Sequence, residues 1–482
     1  MTTPPSLGEM PPDEFRRYGH QLIDWISDYL SHPESYPVLS RSKPEEIKTQ
    51  LPASPPQQAE GMSDILKDFE TILLPGITHW NHPGFFAYFG ITGSGPGILG
   101  ELLSAALNVN AMLWRTSPAA TELEELTLDW LRQMLGLSAG WEGVIMDTAS
   151  VSSMVAIAAA REALNLDIRQ KGLAGRDDIP RLRLYISEQT HSSVEKGAIT
   201  LGIGQENVIK IPSDDAFQMK PETLESAIQN DLTAGYKPFF VCATVGTTST
   251  TSIDPVASIG KIARRHQLWL HVDGAYGGMA AIAPEHRHIL EGADQADSLV
   301  TNPHKWLFTP IDLSAFYTRH PEVVRQAFSI LPEYLRSAEG DAGAVKNYMD
   351  YGVQLGRRFR ALKLWMVIRY FGAEGLAARI REHIRLAQLF AGWVDESPIF
   401  ERLAPTPFST VVFRACPPGV RDEAALETLN QTLLDAVNAT GEVFLSHTKL
   451  RDKYALRLAI GNIRSEETHV RRVWELLQAG VV

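Results

Sequence analysis

Apolar residues recur at helical spacing from Phe15 to Leu30 (Leu22, Ile23, Trp25, Ile26, Tyr29, Leu30), which predicts an amphipathic helix. Ser40 to Gln58 is rich in proline and polar side chains and reads as an extended connector. Met62 to Leu74 predicts a second helix, stopped by Pro75-Gly76. This segment shows no core of its own and is expected to pack on another domain or another subunit. Gly93-Ser94-Gly95-Pro96-Gly97 has no clear strand before it and lacks dinucleotide-fingerprint spacing, so it is expected to be a loop. From residue 117 the pattern alternates. Ser117-Pro118 supplies a cap and a first-turn proline for a helix through Leu126 and Trp130 to Gly136.

Near-continuous apolar runs then predict strands at 143–146, 182–186, 208–211, 239–245, 268–272, 298–301 and 314–317. Helical stretches lie between several of them, at 151–164, 223–231 and 256–266. Strands of this kind interleaved with helices imply an α/β fold with a mainly parallel sheet covered on both faces. Two further helices (358–370 and 373–394) lead to a smaller α+β tail with strands expected at 410–414, 442–446 and 454–459. The division expected is an N-terminal helical segment (1–94), a large α/β domain (95–362) and a small C-terminal α+β domain (363–482). No repeat of fixed period is present.

Composition narrows the function classes. The formal net charge is −12 over 482 residues with no dense Lys/Arg run, which opposes nucleic acid or an anionic membrane surface as partner. No apolar run approaches the roughly 20 residues that span a bilayer. Met1 to Pro12 lacks a signal pattern, and the chain has two cysteines, Cys242 and Cys416. A reducing, cytoplasmic setting is expected.

Ligands of open α/β sheets bind beyond the carboxyl ends of the strands. There, Asn302-Pro303-His304-Lys305-Trp306 sets a lysine among apolar neighbours. Desolvation would leave its amine neutral and able to condense with an aldehyde, as in enzymes that hold pyridoxal phosphate (PLP); a lysine snorkelling out of a core strand is the other reading. Asp147-Thr148-Ala149-Ser150-Val151-Ser152-Ser153 opens a helix as a phosphate cup or as plain capping. His191 could stack on a cofactor plane or sit in a surface loop. Asp273, ending His271-Val272-Asp273, could hold a proton on a pyridine nitrogen. His271 and Asp273 share a strand face as metal ligands would, but no third ligand of suitable spacing accompanies them, and no metal is expected.

Taken together, the motifs resemble the fold-type I PLP enzymes, and within them the group II decarboxylases that include the aromatic-L-amino-acid decarboxylases. The resemblance runs from about Phe15 to Trp474. It is carried by Thr78-His79-Trp80, Phe85-Phe86-Ala87-Tyr88-Phe89, Ser117-Pro118-Ala119-Ala120-Thr121-Glu122-Leu123-Glu124 and His191-Ser192-Ser193-Val194-Glu195. His271-Val272-Asp273, Asn302 to Trp306 and Leu355-Gly356-Arg357-Arg358-Phe359-Arg360 complete it. It implies that Lys305 bonds the cofactor, Asp273 partners the pyridine nitrogen and His191 stacks on the ring. It places Ala149, Ser150, Asn302 and His304 on the phosphate side, with Thr248 and Ala275 lining the cofactor. It implies a homodimer with active sites at the interface.

The same resemblance sets the expected reaction. Tyr334, in Pro332-Glu333-Tyr334-Leu335, matches the tyrosine that protonates Cα after carbon dioxide leaves; relatives with phenylalanine there release an aldehyde. Decarboxylation of an aromatic L-amino acid to its amine is therefore expected. An aldehyde-forming relative, a glutamate-type decarboxylase and a catalytically silent PLP-binding protein are the alternatives. Trp80, Tyr88 and Phe89 match the family's aromatic pocket. Asn110 and Met112, in the partner-contributed segment, stand where animal members carry isoleucine and phenylalanine, and Ile91 replaces the threonine of a Pro-Thr pair near the substrate carboxylate. Gly356 leans towards indoles by the plant pattern.

Overall fold

The computed structural model describes residues 9–330 and 343–481. Its centre is a seven-stranded sheet of β1 (Glu142–Met146), β2 (Leu182–Ser187), β3 (Val208–Ile211), β4 (Lys237–Thr244), β5 (Trp269–Asp273), β6 (Ser298–Thr301) and β7 (Ser314–Thr318). The spatial order is β1-β7-β6-β5-β4-β2-β3. The run from β3 through β2, β4 and β5 to β6 is parallel, and β7 alone runs against its neighbours β6 and β1. Every residue of β4 after Lys237 is buried, as a strand covered on both faces requires. Phe240 and Cys242 enter the core on one face, Val241 and Ala243 the core on the other. The period of two along the strand thus divides one apolar run between two cores.

The N-terminal segment carries α1 (Pro12–Ser31), α2 (Glu46–Gln50) and α3 (Met62–Asp68). The connector expected to be extended therefore contains a short helix. The stretch expected to be a loop instead opens a helix, α4 (Gly95–Leu107). Gly97 and Gly100 serve close packing rather than a turn: a Cβ on Gly97 would lie 2.4 Å from Pro310 Cδ, and one on Gly100 2.6 Å from Lys363 Cα. In α5 (Pro118–Met134), Ser117 caps the first turn by accepting the Ala120 amide, as expected.

Beyond β7, helix 361–396 is broken at Gly372 (φ 67°), the junction at which the sequence predicts two helices. A small antiparallel sheet follows, ordered β10-β11-β9-β8 from β8 (Phe400–Arg402), β9 (Thr410–Ala415), β10 (Ser446–Leu450) and β11 (Lys453–Ala459). The strand expected at 442–446 begins only at Ser446. The Phe444 amide and carbonyl instead bond Gly84 and Phe86 of the N-terminal segment. Phe86 is buried in the core of the small sheet, so residues 84–86 are tied to the C-terminal region of their own chain. Leu99, Leu102, Leu103 and Leu107 of α4 and Phe15 and Ile23 of α1 are exposed.

Candidate active site

The carboxyl ends of the parallel strands open into a cleft of ≈ 340 Å³ lined by Tyr88, Phe89, Ile91, His191, Thr248, His304 and Lys305. Ser249, Ser446, His447, Thr448 and Arg457 complete its wall. Lys305 sits just beyond β6, in a single helical turn (Pro303–Trp306), with its Nζ 5.3 Å from the centre of the Phe89 ring. Burial lowers its pKa, Asp273 opposes that shift and Arg457 adds to it. Asp273, at the end of β5, is buried and accepts the Ala275 amide at 3.0 Å.

His191 caps the helix 192–200, where its Nδ1 accepts the Ser193 amide at 3.2 Å. That assigns the proton of the neutral ring to Nε2. Although the ring is accessible from the cleft, its surroundings hold its pKa below the ordinary value, first by desolvation and then through Lys305. Asp273 acts in the opposite sense on both His191 and Lys305, which marks the three as one electrostatic group. His304 is buried, and its Nδ1 accepts the Leu313 amide at 3.0 Å. Burial brings its pKa down to about 4, so its ring is neutral at physiological pH and carries its proton on Nε2.

Ala149 and Ser150 begin the helix that follows β1, whose cap residue Thr148 makes no side-chain capping bond. The first-turn amides there are available to an anion. Ala149, Ala275 and Val300 form one small buried cluster, which draws the ends of β1, β5 and β6 together. Asn302 links the same ends: its amide donates to Ala275 O at 3.1 Å, while its own carbonyl accepts the Lys305 amide at 2.9 Å. The Asn302 Oδ1 is buried without a partner among the described residues. His271 turns one nitrogen to Ser298 Oγ (2.9 Å), and the described residues contain no group of three His, Cys, Asp or Glu side chains positioned for a metal.

The remaining expected residues divide. Trp80 stacks behind Tyr88 (5.9 Å between ring centres) and supports the cleft wall. Asn110, Met112 and Gly356 are not on the cleft of this chain. They form a separate group in which Asn110 Oδ1 accepts the Arg357 amide (2.9 Å) and Asn110 Nδ2 contacts Met112 Sδ (3.3 Å). Tyr334 lies outside the described residues. Sequence reasoning missed Arg457 and its neighbours on β10 and β11. The available signal was a lone arginine inside the apolar run Tyr454-Ala455-Leu456-Arg457-Leu458-Ala459.

A family model, the pyridoxal-dependent decarboxylase conserved domain, matches residues 44–416. Tyrosine decarboxylase 2 of Narcissus pseudonarcissus is 41% identical over 481 residues, covering 98% of this chain and 95% of the relative. Phenylacetaldehyde synthase of Arabidopsis thaliana is 42% identical over 481 residues, covering 98% and 96%. Among solved structures, Oryza sativa TDC with PLP and tryptamine superposes with a TM-score of 0.95 at 38% identity, covering 99% of each chain.

Proposed function

The chain belongs to the pyridoxal-dependent decarboxylase family, and from that premise we propose that it converts an aromatic L-amino acid to its arylalkylamine and carbon dioxide. The observation that carries the reading is the meeting of Lys305 and His191 on one cleft walled by Tyr88, Phe89 and Ile91, with the buried Asp273 electrostatically coupled to both.

The residues present fit PLP. Lys305 offers a deprotonatable amine, Asp273 a buried carboxylate for the pyridine nitrogen, and His191 a ring to stack on the cofactor. The free first-turn amides at Ala149 and Ser150, the His304 Nε2–H and the side chain of Asn302 suit the phosphate, while Thr248 and Ala275 line the cofactor. When bound, PLP supplies a covalent carrier for the amino group and a sink for the electron pair released at Cα.

The protein's part is binding, orientation and proton control. Asp273 is buried beside the site, where it opposes the lowering of the Lys305 and His191 pKa values. Neutral His191 and His304 present N–H donors without adding fixed positive charge. Phe89, backed by Tyr276 at 3.9 Å and 17° and Tyr276 in turn by Trp306 at 4.6 Å and 7°, gives the cleft a rigid aromatic wall. Tyr334 takes the role of proton donor to Cα.

The assembly proposed is a homodimer. The exposed leucines of α4 and the exposed apolar residues of α1 are surface that a second copy would cover. Such a copy would bring its Asn110, Met112 and Gly356 to the cleft, where this chain's own do not reach. The domain division proposed is residues 1–94 packing across the dimer, 95–362 holding the cofactor and 363–482 as the small domain. The two unpaired cysteines fit a cytoplasmic setting, and among the described residues no helix is long and apolar enough to cross a membrane.

A second reading, aldehyde formation, has support in the 42% identity to phenylacetaldehyde synthase. Incubating the purified protein and PLP with each aromatic amino acid, glutamate and histidine tests both. Amine and carbon dioxide from an aromatic substrate are expected. Aldehyde with peroxide would favour the second reading, and turnover of glutamate alone would overturn the aromatic assignment.

A further inference from the structure

The edge strand β10 turns alternate residues to opposite sides, so Ser446, Thr448 and Leu450 share one face. Leu450 joins Phe217 in a small buried cluster, which sets that face against the segment that follows β3 of the large sheet. On the other face Lys449 pairs with Glu427 at 2.8 Å, and His447 stacks on Tyr454 (5.0 Å, 12°). The two hydroxyls of the inner face therefore stand between the two sheets, and both line the cleft.

Each hydroxyl holds a different wall. Ser446 Oγ accepts the Tyr88 amide at 3.3 Å. Arg457, which is paired with Ser446 in the β10–β11 register and forms no ion pair among the described residues, donates its Nη1 to the Tyr88 carbonyl at 2.5 Å. Tyr88 has a left-handed backbone (φ 54°), unfavourable for a bulky residue, and is 55% exposed, so burial does not hold it there. Such a conformation persists where its surroundings over-determine it, and here the small sheet grips the residue by both of its backbone polar groups. The next residue, Phe89, lies against Tyr276 at 3.9 Å. Two positions along β10, Thr448 Oγ1 meets Ser249 Oγ at 3.1 Å, in the loop after β4 that carries Thr248 to the cleft.

We propose that Ser446 and Thr448 are positioning residues that fix the aromatic wall at Tyr88-Phe89 relative to the Thr248-Ser249 loop, and with it the cleft's grip on the substrate. This rests on the decarboxylase reading above. One strand with hydroxyls two residues apart holds both walls, so the substrate meets a preformed gap and need not order it on binding. Loss of either hydroxyl frees a wall before the substrate arrives, which weakens binding more than it slows the chemistry.

The test uses the PLP-loaded protein. In Ser446→Ala, amide hydrogen exchange in peptides covering residues 86–92 should quicken by about 2- to 10-fold, the range that loss of one neutral hydrogen bond allows. KM for whichever of L-tryptophan, L-tyrosine and L-phenylalanine is turned over fastest should rise by about the same factor, with kcat changed less than about 2-fold. Ser446→Thr, which keeps the hydroxyl, should restore both readings. Thr448→Val, which keeps the shape, should raise KM likewise but quicken exchange at residues 246–252 and not at 86–92. Unchanged exchange at 86–92 in Ser446→Ala, an unchanged KM in both variants, or equal quickening throughout the small sheet, the mark of a merely structural role, would each overturn the proposal. Failure of the unaltered protein to decarboxylate any aromatic amino acid would instead refute the functional reading, and the exchange measurements would still decide whether the two hydroxyls hold the walls.

Discussion

Glu124 and Arg357 form a buried ion pair beside the Asn110–Met112 segment, and removing one partner should be far worse than removing both. Their side chains are 2% and 7% exposed and meet at 2.7 Å. Glu124 Oε1 also accepts the Ile145 amide at 2.8 Å. Arg357 donates to Ile145 O at 2.8 Å and to Ala111 O at 3.2 Å, and lies 4.7 Å from the centre of the Tyr348 ring. Glu124→Ala strands this guanidinium, and breaking a buried pair in this way costs about 3–5 kcal/mol. With an unfolding entropy of about 2.1 cal/mol/K per residue, the chain unfolds with roughly 1 kcal/mol/K, so Tm should fall by about 3–5 °C. Scanning calorimetry at fixed protein and PLP concentrations measures it, since bound cofactor itself moves Tm. Glu124→Gln, which keeps an acceptor, should fall between. Glu124→Met combined with Arg357→Met should recover most of the loss, because it removes both charges and leaves neither group stranded. The reasoning fails if Glu124→Ala melts within about 1 °C of the parent, or if the double variant is no better than the single one.

Lys305→Ala should abolish both turnover and the visible absorbance band that PLP gives with the unaltered protein; a colourless unaltered protein would refute the cofactor assignment. Tyr334→Phe should shift the product from amine towards aldehyde and peroxide, and an amine-only product would remove Tyr334 from its assigned role. Stability should be level above about pH 7 and decline as pH falls from about 6.5 towards 4. Burial holds His82, His271, His304 and His383 at about 4, so in that window the unfolded chain takes up protons that these rings refuse. Each fully buried histidine steepens the decline by about 1.4 kcal/mol per pH unit. Asp254, raised by burial to about 7, acts in the opposite sense and offsets one of them. Urea midpoints at pH 7.5 and 5 check the net sign, and a higher midpoint at pH 5 would refute it.

Much of the architecture was legible because local signals and burial agreed. The strands of the large sheet are apolar runs, Ser117-Pro118 marks a helix start by its own chemistry, and Gly372 separates two helical patterns. The errors lie where tertiary contacts override local preference. Gly95-Pro96-Gly97 resembles loop chemistry, yet these residues open a helix in which Gly97 packs against Pro310, where a Cβ would not fit. Residues 442–445 have a strand pattern, but Phe444 pairs with Gly84 and Phe86 instead of extending the small sheet.

The sequence by itself determined the chemistry on offer: Lys305, Asp273 and His191 at strand ends, an aromatic stretch at 85–89 and a helix start at Ala149. Those features follow from residue type and short-range spacing. Only the tertiary structure decided which of them share a cleft, that Asn110, Met112 and Gly356 stay off this chain's own cleft, and that Arg457 stands on it without an anionic partner. Whether a buried charge is paired depends on what other strands bring within about 4 Å, and nothing in the residues beside it in the chain encodes that distance.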